Sequence, residues 1–245
     1  MGYLFIHFSG GVMKIILFFI LALLFQSNLM ANGPVILVGG NLIPDEVFEW
    51  TLKYKVDSDC LLVSEYCRIG EKWDKLLELE KNVQVIKPKQ LCEEHLENLG
   101  AIFIDGGSQK NYLIMDKSVL QAAHNIGVPI LGTSASAMIL SEFYFSARKG
   151  TINSDEVNNC EDKITIEHDF LKIRPLKGAI IDSHYTKRKR QKRLELFLNR
   201  CDAVKGIGID ESTALCITDK FEVLGKGKVH IIDETSGGFV YSKLP

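Results

Sequence analysis

A single α/β domain with a mostly parallel sheet and helices on both faces is predicted by three features of this sequence. Short apolar runs recur along the chain, the stretches between them carry charged residues at helical spacing, and no Pro-rich linker, internal repeat or low-complexity tract divides it. The 245 residues, 46% hydrophobic and 24% charged, suffice for one large core. A formal net charge of −2 argues against a general polyanion binder.

In chain order, Val35-Ile36-Leu37-Val38, Cys60-Leu61-Leu62-Val63, Val83-Gln84-Val85-Ile86, Ala101-Ile102-Phe103-Ile104 and Pro129-Ile130-Leu131 read as strands. Most are apolar throughout, as expected of parallel strands covered on both faces. Between them, Asp45 to Tyr54, Trp73 to Glu80, Leu91 to Leu99 and Lys117 to Asn125 read as helices, so the pattern is βαβ. Beyond residue 137 the chain becomes strand-rich. Lys228 to Asp233 and Phe239-Val240-Tyr241 predict a closing hairpin that turns at Ser236-Gly237-Gly238.

The N-terminus reads differently. Lys14, the apolar stretch Ile15 to Phe25 and the small residue Ala31 have the form of an export signal, with Met13 a second candidate start. Residues 1–31 are therefore expected to be an extension and signal peptide, and residues 32–245 an exported domain, periplasmic or extracellular, with no stable membrane span after cleavage. In an oxidising compartment the six cysteines could pair. Cys60 and Cys216 sit in apolar runs and read as core, whereas Cys160, in a polar stretch, is the better disulfide candidate. Neither metal-ligand spacing nor a phosphate loop is visible, so no metal or organic cofactor is expected.

Gly132-Thr133-Ser134-Ala135-Ser136-Ala137 follows the run Val128-Pro129-Ile130-Leu131 directly. A serine among small residues at the end of a buried strand predicts a strand-to-helix nucleophile elbow, with the amide of the following residue free to stabilise an oxyanion. Ile180-Ile181-Asp182-Ser183-His184 ends another apolar run in a histidine, the commonest general base, and Gly206 to Ala214 ends a third with the carboxylates Asp210 and Glu211. Sites in α/β sheets gather at the carboxyl ends of strands, so three such ends predict one Ser-His-acid constellation.

Lys187-Arg188-Lys189-Arg190-Gln191-Lys192-Arg193 places six positive charges in seven residues directly after His184. A solvated helix face and a nucleic-acid patch are the competing readings, and the second lacks basic company elsewhere. A helix starting beside the histidine can instead turn guanidinium forks toward a carboxylate-bearing substrate. Of the other histidines, His95, His124, His168 and His230 read as structural or solvated.

On four blocks the sequence resembles the S51 peptidase family, and within it the cyanophycinase branch. The blocks are Phe103-Ile104-Asp105-Gly106-Gly107-Ser108-Gln109, the elbow, Asp182-Ser183-His184 with its arginines, and Gly206 to Ala214. The resemblance runs from Val35 to the C-terminus. It implies a flavodoxin-like or class I glutamine amidotransferase-like single domain. It further implies Ser134 as nucleophile, His184 as general base, Glu211 as the third member, and the Gly107 and Ala135 amides as the oxyanion hole. Gln109, Asp182, Arg188, Arg190 and Arg193 would bind substrate. The implied reaction is hydrolysis of cyanophycin, poly-aspartate with β-linked arginine, to β-aspartyl-arginine dipeptides, and the implied assembly is a homodimer. An aspartyl or isoaspartyl dipeptidase, or an acidic-peptide binding protein with weakened catalysis, are the alternatives. Three positions depart from the family pattern: Ser136 stands where glycine is usual, Ser108 where aspartate is, and Ser183 where cyanophycinases have glutamine. A positive φ at Ser136 would cost about 1 kcal/mol or more.

Overall fold

The computed structural model describes residues 32–66, 70–154 and 161–244. The expected export segment with Met13 and Lys14, and also Cys67 and Cys160, lie outside the described residues. The first sheet contains the five strands expected from the apolar runs: β1 (Val35–Val38), β2 (Asp59–Val63), β3 (Val83–Ile86), β4 (Leu99–Ile104) and β5 (Ile130–Thr133). They pair in parallel in the order β1-β5-β4-β2-β3. A hairpin of β10 (Thr213–Ile217) and β11 (Phe221–Gly225) extends this sheet antiparallel beside β1.

A second sheet holds β6 (Phe143–Phe145), β7 (Ile166–His168), β8 (Ala179–Asp182), β9 (Lys205–Ile209), β12 (Val229–Thr235) and β13 (Gly238–Leu244), in the order β13-β12-β9-β8-β6-β7. Its central pairs β6-β8 and β8-β9 are parallel, and the flanking pairs are antiparallel. The helices are α1 (Asp45–Lys53), α2 (Asp74–Leu79), α3 (Gln109–Tyr112), α4 (Lys117–Asn125), α5 (Ala135–Ile139) and α6 (Gln191–Leu198). The fold class is as expected, an α/β domain with mostly parallel pairing in the sheet that carries the elbow.

Alternation along each strand divides the core. Ile36, Val38, Cys60, Leu62, Phe103 and Cys216 pack under Val47 and Phe48 of α1 and Trp73 before α2. The opposite residues, Val35, Leu37, Leu61, Val63, Ile102 and Ile104, share one cluster with α4 and with Ile181, Ile207 and Ile209 of the second sheet. The other face of that sheet, Phe145, Ile180 and Ile232, is covered by Leu194, Phe197 and Leu198 of α6. Burial on both faces explains why most of the strand runs are apolar throughout, whereas β3, less buried, carries Gln84. Cys60 and Cys216 are buried free thiols, and burial pushes them up to about 11 and about 12.

One expected helix is absent. Leu91 to Leu99 forms only a 3₁₀ turn at Glu93–Leu96, because Asn98 takes φ 57 and reverses the chain into β4. By contrast α4 starts where its sequence says, with the Asp116 side chain accepting from the Ser118 amide at 2.9 Å, and Gly127 follows its end at φ 95. Among the described residues no helix is long and apolar enough to cross a membrane.

Candidate active site

The carboxyl ends of the two sheets meet at one point. β5 ends at Thr133, and Ser134 adopts φ 56 and ψ −112 before α5 begins. That strained turn lifts a half-buried hydroxyl out of the sheet. Small neighbours are required: a Cβ on Gly132 would press on the Leu140 side chain and, at 3.1 Å, on the Ala137 amide.

Ser136 is not a strained substitute for glycine. It lies inside α5, fully buried, and its Oγ accepts from the Thr133 N–H at 2.7 Å while facing the Ile104 and Thr133 carbonyls at 2.8 and 3.0 Å. The positive φ falls on Ser134 instead, so the expected penalty at 136 does not arise. The Ser136 hydroxyl ties the ends of β4 and β5 together beneath the elbow.

Ser134 Oγ lies 2.8 Å from His184 Nε2, and His184 Nδ1 lies 2.7 Å from Glu211 Oε1. A carboxylate only accepts, so Nδ1 carries the proton and Nε2 is free to receive the serine proton. Burial holds the His184 pKa below its ordinary value; the Glu211 hydrogen bond opposes this, and Arg188 and Arg190 add to the lowering. The ring is therefore neutral at pH 7, as a base must be. Of the two carboxylates left open by the sequence, Asp210 is otherwise engaged. Burial would raise its pKa, but Thr186, His230 and the Lys228 amide outweigh that and hold it low.

Beside the serine runs the glycine block. A Cβ on Gly106 would stand 3.2 Å from Ser134 Cβ and 3.8 Å from its Oγ. Asp105 takes the Gly106 N–H at 2.6 Å and is itself held by Ser64 and Lys72. The Gly106 carbonyl accepts from Tyr112 Oη at 2.8 Å. Gly106 is tied down, whereas neither the Gly107 nor the Ala135 amide has an acceptor among the described residues. Two such donors flanking a nucleophile can stabilise a developing oxyanion. Gln109, at the start of α3, is buried with its amide against Met138 Sδ at 3.3 Å.

The arginines part company. Arg193 donates to Asp182 through Nε at 2.8 Å and through Nη2, and to the Ile152 carbonyl at 2.8 Å, between the rings of Phe145 and Phe197. Arg190 Nη1 donates to Asp182 at 2.9 Å and to the Ser183 carbonyl at 2.8 Å. Burial pushes Arg190 down to about 10, with Asp182 pulling it back, so it remains charged at neutral pH. Arg190, Arg193 and the fully buried Asp182 were expected in the substrate pocket; the structure turns them on one another instead. They pin the end of β8 from which His184 projects. Arg188 alone of the three is exposed, close enough to His184 to depress its pKa.

The model of peptidase family S51 matches residues 63–223. The chain belongs to peptidase family S51. Among solved structures, it is similar to the crystal structure of a peptidase from an acI-B1 Actinobacterium, with TM-score 0.65 and 19% identity, covering 88% of this chain and 95% of that one. At that identity the likeness establishes the shared fold. Among curated proteins none matches.

For this S51 peptidase the sequence reading missed the end of β1. The His184 amide donates to the Gly39 carbonyl at 2.7 Å, and the Ser212 amide to the Gly40 carbonyl at 2.9 Å. A Cβ on Gly40, at φ 99, would collide with the imidazole itself. The signal was present as the pair Gly39-Gly40 directly after a buried strand, where a close backbone approach needs glycine. Glu65 was also missed: it accepts from Asn111 Nδ2 and closes over Gly107. Among the described residues no group of three or more side chains could hold a metal ion.

Proposed function

We propose that this S51 peptidase is a serine-type exopeptidase that hydrolyses aspartate-rich chains of the cyanophycin kind to β-aspartyl-arginine dipeptides. The observation that carries the reading is the hydrogen-bonded line from Glu211 through His184 to Ser134, at a strained strand end flanked by two free amides. In this mechanism Ser134 Oγ attacks the scissile carbonyl carbon as its proton passes to His184 Nε2. Glu211 stabilises the imidazolium that forms. The oxyanion faces the Gly107 and Ala135 amides, and its collapse breaks the C–N bond as Nε2 returns the proton to the leaving amine. Water, deprotonated by the same imidazole, then releases the acyl group and regenerates the hydroxyl. Arg188 is the cation available to receive a substrate carboxylate. The reading includes export of the mature chain through residues 1–31.

With Arg190 and Arg193 committed to Asp182, one cation beside the histidine would also suit a small aspartyl dipeptide. Mass spectrometry of products from the full chain, incubated with insoluble cyanophycin and separately with α- and β-aspartyl dipeptides, decides between them. Dipeptide release from the polymer, absent with Ser134→Ala, supports the proposed reaction. Cleavage of dipeptides alone moves the assignment to the dipeptidase, and no Ser134-dependent product overturns both.

A further inference from the structure

Close packing around the elbow leaves the Gly106–Gly107 peptide without a side chain on either side. A Cβ on Gly106 would crowd Ser134 Cβ at 3.2 Å, and a Cβ on Gly107, at φ 148, would meet Glu65 Oε1 at 2.5 Å. Two adjacent glycines are the freest unit of a polypeptide, so their own conformational preferences do not select the plane of the peptide between them. Its orientation matters. In a trans peptide the carbonyl and the following N–H point to opposite sides. One orientation therefore offers the Gly107 donor to an oxyanion, and the reverse turns the Gly106 carbonyl oxygen, an acceptor, toward the same place, where it would repel the developing charge.

One hydroxyl chooses between the two orientations. Tyr112 Oη donates to the Gly106 carbonyl at 2.8 Å and accepts from the Glu65 amide at 3.5 Å. The Tyr112 ring is 0% exposed, packed in the core with Val63, Ile104 and Ala137, so the hydroxyl cannot swing out to water. Burial, with Asp105 adding to it, holds the phenol above its ordinary pKa, and it remains a donor throughout the neutral range. The preceding peptide is fixed separately, by Asp105 accepting from the Gly106 N–H at 2.6 Å. We infer that Tyr112 is a positioning residue for the proposed hydrolysis: its buried hydroxyl holds the Gly106 carbonyl and thereby aims the Gly107 N–H at the oxyanion formed at Ser134. The inference rests on the proposed Ser134 chemistry, and it assigns no contact between Tyr112 and substrate.

The test is the rate at which a fluorophosphonate modifies the full chain, followed by intact mass, since the phosphoryl oxygen takes the place of the oxyanion. Tyr112→Phe keeps the packed ring and deletes only the donor. At saturating reagent its rate constant falls at least about tenfold, while labelling still ends at a single adduct and the acid midpoint of the rate stays that of the unmodified chain. Tyr144→Phe removes another largely buried hydroxyl, bonded to Glu167 at 3.3 Å, and leaves the rate constant unchanged. A merely structural role for Tyr112 lowers the fraction that labels and not the rate constant of that fraction; this result, or equal rates, overturns the inference. A crystal structure of the phosphonylated, otherwise unmodified chain depends on no variant folding. Gly107 N on the phosphoryl oxygen with Gly106 O still on Tyr112 Oη is expected, and a Gly106 carbonyl turned from Tyr112 overturns the assignment. An unmodified chain that does not label at Ser134 removes the proposed nucleophile and this inference with it, whereas a labelled chain matched in rate by Tyr112→Phe removes this inference alone.

Discussion

At the residue scale the site is set by where strain and burial fall. Ser134 carries the positive φ of the elbow, a conformation that costs about 1–3 kcal/mol and is held by the packing beneath it. Ser136 supplies part of that packing, so Ser136→Ala leaves the buried Thr133 amide unpaired and lowers stability by about 1–3 kcal/mol, read from the urea midpoint. Burial lowers the His184 pKa first of all, so the imidazole protonates only below 6.5, its ordinary value. The acid limb of kcat/KM is expected to have its midpoint below that pH, since the protonated ring cannot accept from Ser134. The same depressed group contributes stability that is fully present above 6.5, the value of the unfolded chain, and is lost as pH falls below it through the lower folded value. Ser183 Oγ is buried without a partner among the described residues, so Ser183→Ala is neutral or stabilising in the same denaturation assay. Ser134 and His184 were legible in the sequence because small residues and an apolar run mark a strand end. The direction of a side chain was not: Arg188, Arg190 and Arg193 share one run, and only packing decides that two turn inward to Asp182.

At the element scale, β1 and β8 hold the histidine from opposite sides. Gly40 leaves room for the imidazole, so Gly40→Ala drives a Cβ into the ring and lowers kcat/KM about a hundredfold or more while β1 keeps its pairing. On the β8 side, Arg193 is 2% exposed and shares Asp182 with Arg190. Arg193→Ala removes one partner from a buried ion network and is expected to cost about 3–5 kcal/mol in chemical denaturation. These elements were partly legible. β1 to β5 announce themselves as apolar runs, but Leu91 to Leu99 looked helical until Asn98 and its left-handed backbone ended the turn.

Over the whole molecule, two sheets rather than one position the chemistry. The first carries Ser134 after β5 and receives His184 through Gly39; the second carries His184 after β8 and Glu211 after β9. The second sheet was hard to foresee because its strands β6 and β7 are three residues each, and pairs such as Phe143 with Ile180 are set by contacts distant in sequence. The clustering of the site at strand carboxyl ends was legible, since it follows from parallel topology. In the proposed reaction Glu211, His184 and Ser134 act as one nucleophilic unit. Intact-mass analysis of the full chain after treatment with a fluorophosphonate, across a range of pH, tests this most directly. A single adduct on Ser134, lost in Ser134→Ala and slowed in His184→Gln, with a rate falling at a pH below 6.5, is the predicted result. An adduct on another residue, or labelling of Ser134 indifferent to His184, would contradict it.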